Sequence, residues 1–136
     1  MAWMDIHKRR SILKCRENPE LKVEYLVFFS GNLMLEGQVY YDVQLTYVPD
    51  RVVLDGSCLQ SYLSIVGEVE EATPEVAGRV ILEDTNNELV PKWIRVSILG
   101  HIGQNDGPTY RCLFQDRQPN WSNPELISAV TEIGAS

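Results

Sequence analysis

The sequence predicts an α+β domain: one four-stranded antiparallel sheet with two helices on one face, in the order β-β-α-α-β-β. Two pairs of segments rich in β-branched and aromatic residues predict the strands, and two helix-capping signals between those pairs predict the helices. A chain of 136 residues fits one domain and buries about 65–70% of the surface of its unfolded form. We therefore expect a self-sufficient hydrophobic core.

The first pair of segments, "LKVEYLVFFSG" (21–31) and "GQVYYDVQLTYV" (37–48), predicts an antiparallel hairpin around "NLMLEG". In the second segment, alternate residues fall on opposite faces with the period of 2 that is typical of a half-buried strand. One face of this hairpin is expected to join the core, and the other is expected to be wetter.

The first helix is predicted over 56–66, after the turn at Pro49 and Asp50. Asp55 offers a side-chain cap for the first free amides of this helix. Its apolar residues follow at helical spacing: Leu59, Tyr62, Leu63 and Val66. This helix start has two interpretations, a hinge between hairpin and helix or a place where chemistry occurs.

The second helix is predicted over 74–89. Thr73 can cap it, Pro74 suits its first position, and Glu75 favours the positive end of the helix dipole. The run "DTNNE" near its end is a poor helix former, so we expect that end to fray.

The second pair of strands is predicted over 91–100 and 108–116, with "HIGQNDG" as a turn-rich connection. A short amphipathic helix is predicted over 124–132. The chain is thus divided into three parts: an N-terminal arm (1–20), the folded domain (21–117) and a C-terminal tail (118–136).

The net charge of −7, from 12 basic and 19 acidic residues, disfavours nucleic acid as a partner. The one basic cluster, His7 to Arg10, is interpreted as a solvated arm. No run approaches the roughly 18 apolar residues of a membrane span, and no signal peptide is recognised. The sequence therefore predicts a cytoplasmic protein with no membrane partner.

The three cysteines, Cys15, Cys58 and Cys112, are an odd number without a Cys-x-x-Cys spacing. This pattern indicates neither a disulfide framework nor a four-cysteine zinc site. Reduced, packed thiols are expected, with no metal and no cofactor.

The segment "YVPDRVVLDGSCLQSYL" resembles a passage of the NADPH-dependent 7-cyano-7-deazaguanine reductases of queuosine biosynthesis, which belong to the tunnelling-fold (T-fold) superfamily. That family carries a Tyr-x-Pro-Asp turn and, after an acidic residue, a helix start of the form Ser-Lys-Ser-Leu-Lys-x-Tyr-Leu. "LVPKWIRV" resembles its helix-to-strand passage, and "EEAT" resembles the segment after its substrate-anchoring glutamate. The resemblance covers about residues 22–116. It implies ββααββ units that join through their sheet edges into homo-oligomers, with binding sites between subunits.

Several features of the reductases are absent from this sequence. Residues 28–38 contain no cysteine, whereas the family has its nucleophile just past the first strand. The helix start that carries phosphate-binding lysines in the family has no cation here: it reads Gly56, Ser57, Cys58 and Gln60. We therefore expect neither an NADPH site nor NADPH-dependent nitrile reduction.

Val69 and Glu70 stand where the family has a His-Glu pair, so the carboxylate is kept and the histidine is lost. The resemblance implies that Glu70 accepts paired hydrogen bonds from a purine, deazapurine or pterin. Glu71 is the substitute, because the alignment has an insertion of about two residues just downstream. The alternative is that Glu68, Glu70 and Glu71 form a solvated acidic stretch before the second helix.

Three further positions have two interpretations each. Cys58 at a helix start is a candidate nucleophile beside Asp55, or a packed thiol in a structural turn. His101 resembles the histidine of a zinc-binding His-x-Cys pattern in related cyclohydrolases, but Gly103 replaces the cysteine, so no zinc is expected. Phe29 and Tyr40, with Phe28, are candidates to stack on a flat heterocycle, or they pack at a subunit interface.

Three functions remain open. The first is a T-fold enzyme that acts on a pterin or deazapurine by chemistry other than nitrile reduction. The second is a non-catalytic T-fold binding or scaffold protein. The third is an unrelated α+β interaction domain that shares only the pattern of strands and helices.

Overall fold

The computed structural model describes residues 6–35, 39–70, 72–101 and 109–133. Its elements follow in the order α1 (Ile6–Ser11), β1 (Cys15–Glu17), β2 (Val27–Leu35), β3 (Val39–Val48), β4 (Val52–Leu54), α2 (Leu59–Val66), α3 (Pro74–Leu89), β5 (Trp93–His101), β6 (Thr109–Arg117) and α4 (Pro124–Ile133).

The main sheet has four strands in the order β2-β3-β5-β6, and every neighbouring pair is antiparallel. Leu45 of β3 lies between Phe29 of β2 and Val96 of β5 in the register. This arrangement confirms the predicted sheet, with the hairpins β2-β3 and β5-β6 side by side and with β2 and β6 at its two edges.

The core lies between one face of this sheet and the helices α2 and α3. Alternate residues of β3 and β5, among them Leu45 and Val96, point to that face and are almost fully buried. Tyr62 of α2 and Ile81 of α3 cover them and have no exposed surface. Both predicted helices therefore pack on the same face, as the sequence indicates.

Strand β2 differs from the predicted segment, because it starts at Val27 and continues to Leu35. The prediction of a turn immediately after Gly31 is wrong: Leu33 and Leu35 keep the period of 2 and are buried. The first part of the predicted strand is exposed at Leu21 and Val23 and is not a strand.

A second, two-stranded sheet that the sequence analysis missed joins β1 to β4. Cys15 pairs with Leu54, and Glu17 pairs with Val52. This short ribbon lies just before the first helix start and ties the N-terminal segment to it, since the backbone N–H of Asp55 donates to the carbonyl of Lys14 at 2.7 Å.

The predicted caps of both helices are present. The carboxylate of Asp55 accepts from the N–H of Ser57 at 3.1 Å and begins a 3-10 turn (Gly56–Cys58) that continues as α2. The hydroxyl of Thr73 accepts from the N–H of Val76 at 3.2 Å. The predicted fraying of α3 is wrong, because the helix stays regular to Leu89 and buries Asp84 completely.

The N-terminal basic cluster is not a solvated arm at every position. Arg9 lies in α1 and is 6% exposed. Its Nε donates to Asp84 of α3 at 2.6 Å, and Nε of Arg10 donates to the same carboxylate at 2.8 Å. The hydroxyl of Tyr62 is a third donor to Asp84, at 2.6 Å. This interpretation is therefore wrong for Arg9 and Arg10.

Helix α4 packs on the opposite face of the sheet. Val130 of α4 forms a small apolar cluster with Val48 and Trp93. Glu24 fixes the segment that precedes α4. Its carboxylate accepts a hydrogen bond from Nε1 of Trp121 at 3.0 Å and two more from neighbouring side chains. The predicted C-terminal helix is thus present and covers one end of this face. No helix within the described ranges is long and apolar enough to cross a membrane.

Candidate functional site

A groove runs between α2 and the outer edge of β2, and we call it the edge groove. It encloses about 390 Å³. Its lining residues come from β2, β3, α2 and the turn after α2: Asn32, Met34, Tyr40, Gln60, Ser64, Gly67 and Glu68. The groove borders an edge of the sheet, where a second copy of the chain has access to it.

Gln60 joins helix and strand at the base of this groove. Its Nε2 donates to the carbonyl of Asn32 at 2.9 Å, and its Oε1 accepts from the N–H of Asn32 at 3.1 Å. Gly67 lies so close to the carbonyl oxygen of Met34 that a Cβ there would collide with it. These contacts hold α2 against the strand edge.

The side chains in the groove suit a flat polar molecule. Tyr40 is 64% exposed and presents an aromatic ring. Glu68 supplies an exposed carboxylate that can accept hydrogen bonds, while Asn32 supplies an amide that can both donate and accept. The groove can therefore stack a ring and pair with its edge.

The structure separates the two aromatic residues that were predicted to bind a ligand. Tyr40 is in the edge groove and pairs with Met34 in the register, whereas Phe29 pairs with Leu45. Five residues along a strand correspond to about 17 Å. Phe29 packs against Gly56 at the first helix start, where its ring lies 2.5 Å from the position of an added Cβ. One chain does not bring the two rings together.

Glu70 lies in the turn before α3 and is exposed. No hydrogen bond to its carboxylate is found within the described residues, and it does not line the edge groove. Glu71 lies outside the described residues. Glu68, which the sequence analysis placed in the same acidic stretch, is the glutamate that lines the groove.

The candidate nucleophile Cys58 and its neighbour Asp55 belong to the helix start. The Sγ of Cys58 donates to the carbonyl of Asp55 at 3.0 Å and accepts from the N–H of Lys14 at 3.2 Å. The hydrogen bond from the N–H of Ser57 lowers the pKa of Asp55, and the Ser57 hydroxyl adds to this effect. Neither residue lines the edge groove, and their catalytic role stays a prediction.

Glu75 and Tyr110 form a contact that the sequence analysis did not identify. The Tyr110 hydroxyl at the start of β6 donates to Oε2 of Glu75 in the first turn of α3. This hydrogen bond lowers the pKa of Glu75 and raises that of Tyr110. The ring of Tyr41 meets Tyr110 edge-on, with 6.5 Å between ring centres. Because the two partners are 35 residues apart, their pairing depends on strand order, which local sequence patterns do not reveal.

In the described part of the chain, no group of three or more histidine, cysteine or acidic side chains is placed to hold a metal ion. The side chain of His101, the residue weighed for zinc, lies outside the described residues. The three cysteines are free thiols, and Cys15 is exposed as a residue although its thiol is partly covered. Burial raises the pKa of the Cys15 thiol, with the nearby Glu88 adding to the effect.

The paired hairpins with α2 and α3 on one face give the chain the tunnelling fold. Its fold matches the crystal structure of the archaeosine synthase QueF-Like in the apo form. The TM-score is 0.54 and the identity 14%, over 68% of this chain and 91% of that chain.

In sequence, the chain is 29% identical over 85 residues to the NADPH-dependent 7-cyano-7-deazaguanine reductase of Syntrophus aciditrophicus (strain SB). The match covers 62% of this chain and 59% of the reductase, so it spans less than two thirds of that relative. No family model matches the chain. The predicted T-fold and the predicted similarity to the reductases are confirmed.

Proposed function

We propose that this protein is an oligomeric T-fold protein that binds a purine, deazapurine or pterin at an interface between subunits. The edge groove is the observation that carries this proposal, because it combines an exposed aromatic ring with amide and carboxylate groups at an edge of the sheet. A heterocycle with neighbouring N–H groups satisfies a carboxylate that is otherwise costly to enclose.

A second chain completes the site in this proposal. Glu70 or Glu71 anchors the ring of the ligand, and Glu68 is placed to assist from the groove wall. Phe29 and Tyr40 meet the ligand from different subunits, because one chain holds them about 17 Å apart along the hairpin. The known ligands of the relatives do not transfer directly, since the chain spans only part of the reductase it matches.

The protein is not an NADPH-dependent nitrile reductase in this proposal. The described stretch of β2 contains no cysteine, and the 3-10 turn before α2 contains no cation to hold a dinucleotide phosphate. The alternative function is binding without catalysis, and one observation favours it: the lining of the edge groove includes neither cysteine nor histidine among the described residues.

A thermal-shift titration with guanine, 7-deazaguanine, neopterin and biopterin tests ligand binding. A ligand at 100 times its dissociation constant adds about 2.7 kcal/mol to the free energy of unfolding. Tyr40→Ala and Glu68→Gln weaken this response, whereas Arg79→Gln, an exposed change on α3, leaves it intact. A monomer by light scattering, or no response to any of the four compounds, contradicts the proposal. Analysis of the recovered ligand separates binding from turnover.

A further inference from the structure

The sheet face opposite α2 and α3 carries a guanidinium that no described carboxylate neutralises. Arg95 of β5 is half-buried there, and its Nε and Nη2 both donate to Oε1 of Gln115, at 3.1 and 2.9 Å. Its Cζ lies 5.1 Å from the ring centre of Trp93. Burial lowers the pKa of Arg95, as expected of a cation that loses water without gaining an anion.

Polar side chains without partners surround this guanidinium. Thr46 is directly opposite Arg95 in the register and is 6% exposed, while Ser97 is 7% exposed. Within the described residues, neither hydroxyl nor the Gln44 amide makes a hydrogen bond. No fully buried side-chain nitrogen or oxygen of the described residues lacks a partner, so these hydroxyls reach the open cavity and are available to a ligand there.

These groups line one small cavity under the C-terminal helix, together with Arg111, Leu113 and Val130. Its volume of about 20 Å³ is room for one or two ligand oxygens. Arg95 has five N–H groups, of which Gln115 engages two, so three remain for a ligand. Arg111 brings a second guanidinium to the same wall.

We propose that this cavity is a binding site for a small oxyanion, a carboxylate or phosphate group. Arg95 neutralises its charge, the hydroxyls of Thr46 and Ser97 donate hydrogen bonds, and Gln115 fixes the orientation of the guanidinium. The remaining atoms of the ligand lie at the mouth of the cavity, beside α4. The site is separate from the edge groove and requires no second subunit.

The test is a titration of the chain with inorganic phosphate and, in a second arm, with acetate. Both are followed by calorimetry and by the melting temperature, at an ionic strength held constant with sodium chloride. Saturable binding and a rise in melting temperature beyond that in chloride are expected. A response in the phosphate arm alone assigns a phosphate group, a response in the acetate arm alone assigns a carboxylate, and either supports the site.

Three variants locate the binding. Arg95→Gln weakens the affinity by at least about tenfold, as expected when a charge-assisted hydrogen bond is removed. Ser97→Ala, which keeps every charge, weakens it by a few-fold. Arg79→Gln, which removes an exposed guanidinium on α3, leaves it unchanged. Absence of saturable binding to the wild-type chain overturns the proposal. So does unchanged affinity in both Arg95→Gln and Ser97→Ala.

Discussion

Arg9 and Asp84 lie 75 residues apart in the chain, yet Nε of Arg9 is 2.6 Å from Oδ2 of Asp84 in a buried ion pair. A second bond joins Nη2 of Arg9 to Oδ1 at 3.1 Å, which makes the contact bidentate. Because Arg10 and Tyr62 also donate to this carboxylate, α1, α2 and α3 meet at one side chain. The N-terminal helix is thus part of the packed structure.

Removal of this carboxylate is expected to be costly. Asp84→Asn leaves Arg9 buried without a counter-charge, and loss of one partner of a buried pair costs about 3–5 kcal/mol. Urea unfolding measures the change. The matched control is Glu83→Gln, which breaks the exposed pair with Arg79 and costs less than about 1 kcal/mol. Equal losses in the two variants contradict the role of the buried pair.

The same cluster predicts how stability depends on pH. Burial alone raises the pKa of Asp84, but hydrogen bonds from Arg9, Tyr62 and Arg10 outweigh it and hold the folded-state pKa below 3.8. This contribution is therefore full only well above the unfolded-state pKa, at about pH 5 and higher, and is lost as the pH falls through the folded-state pKa. In unfolding measurements from pH 2 to 7, the gap between wild type and Asp84→Asn narrows toward low pH. A constant gap contradicts this prediction.

Mutations at the helix start and at the candidate ligand anchor are expected to change different properties: stability in the first case and ligand binding in the second. Asp55→Ala removes the cap on Ser57 and lowers the melting temperature modestly. Glu70→Ala removes an exposed side chain and leaves the melting temperature unchanged, while it abolishes stabilisation by a heterocycle. If Asp55→Ala kept full stability and lost ligand binding, the helix start would be the site.

No NADPH oxidation is expected when the protein is mixed with 7-cyano-7-deazaguanine. The physical reason is that the turn Gly56–Cys58 before α2 contains no cation that could hold the dinucleotide phosphates. Absorbance at the NADPH band measures the reaction, with an active reductase of that family as the positive control. Nitrile-dependent oxidation contradicts the prediction, and Cys58→Ala then tests the thiol nearest that helix.

Val90 after α3 has a backbone conformation that a β-branched residue rarely adopts, with φ 43° and ψ 56°. It is 59% exposed, so its side chain contributes little burial. Val90→Gly is expected to raise the free energy of unfolding by about 0.5–1 kcal/mol, because glycine reaches this conformation without strain. Asn87→Gly, inside the helix, gives no gain. A loss of stability in Val90→Gly contradicts this interpretation.

The sequence predicts most of the sheet and both central helices, because each depends on local patterns. Thr73 and Pro74 place the start of α3 correctly, and alternation places β3. The same local rules treat Asp84 as a helix breaker and Arg9 as solvated. Only the fold brings these two side chains together, and the charge pair then stabilises both segments.

The candidate site is less predictable for the same reason. Tyr40 and Glu68 are far apart in sequence and meet only because α2 lies along the edge of β2. Gln60 stands where the reductase motif has a lysine, and nothing in the sequence around it indicates its contact with Asn32. The partners of Arg95 likewise depend on which strands are neighbours, since Thr46 and Gln115 come from different hairpins.

The contact between Gln60 and Asn32 also has a consequence for the proposed joining of two copies of the chain. A primary amide offers one C=O and one N–H side by side, which imitates the peptide group of an adjoining strand. The backbone N–H and C=O of Asn32 at this edge of the sheet therefore already have partners. An added strand forms no new hydrogen bond there unless it displaces the Gln60 side chain. Pairing along this edge has to begin nearer Phe28 and Ser30, which restricts the register that two copies can adopt.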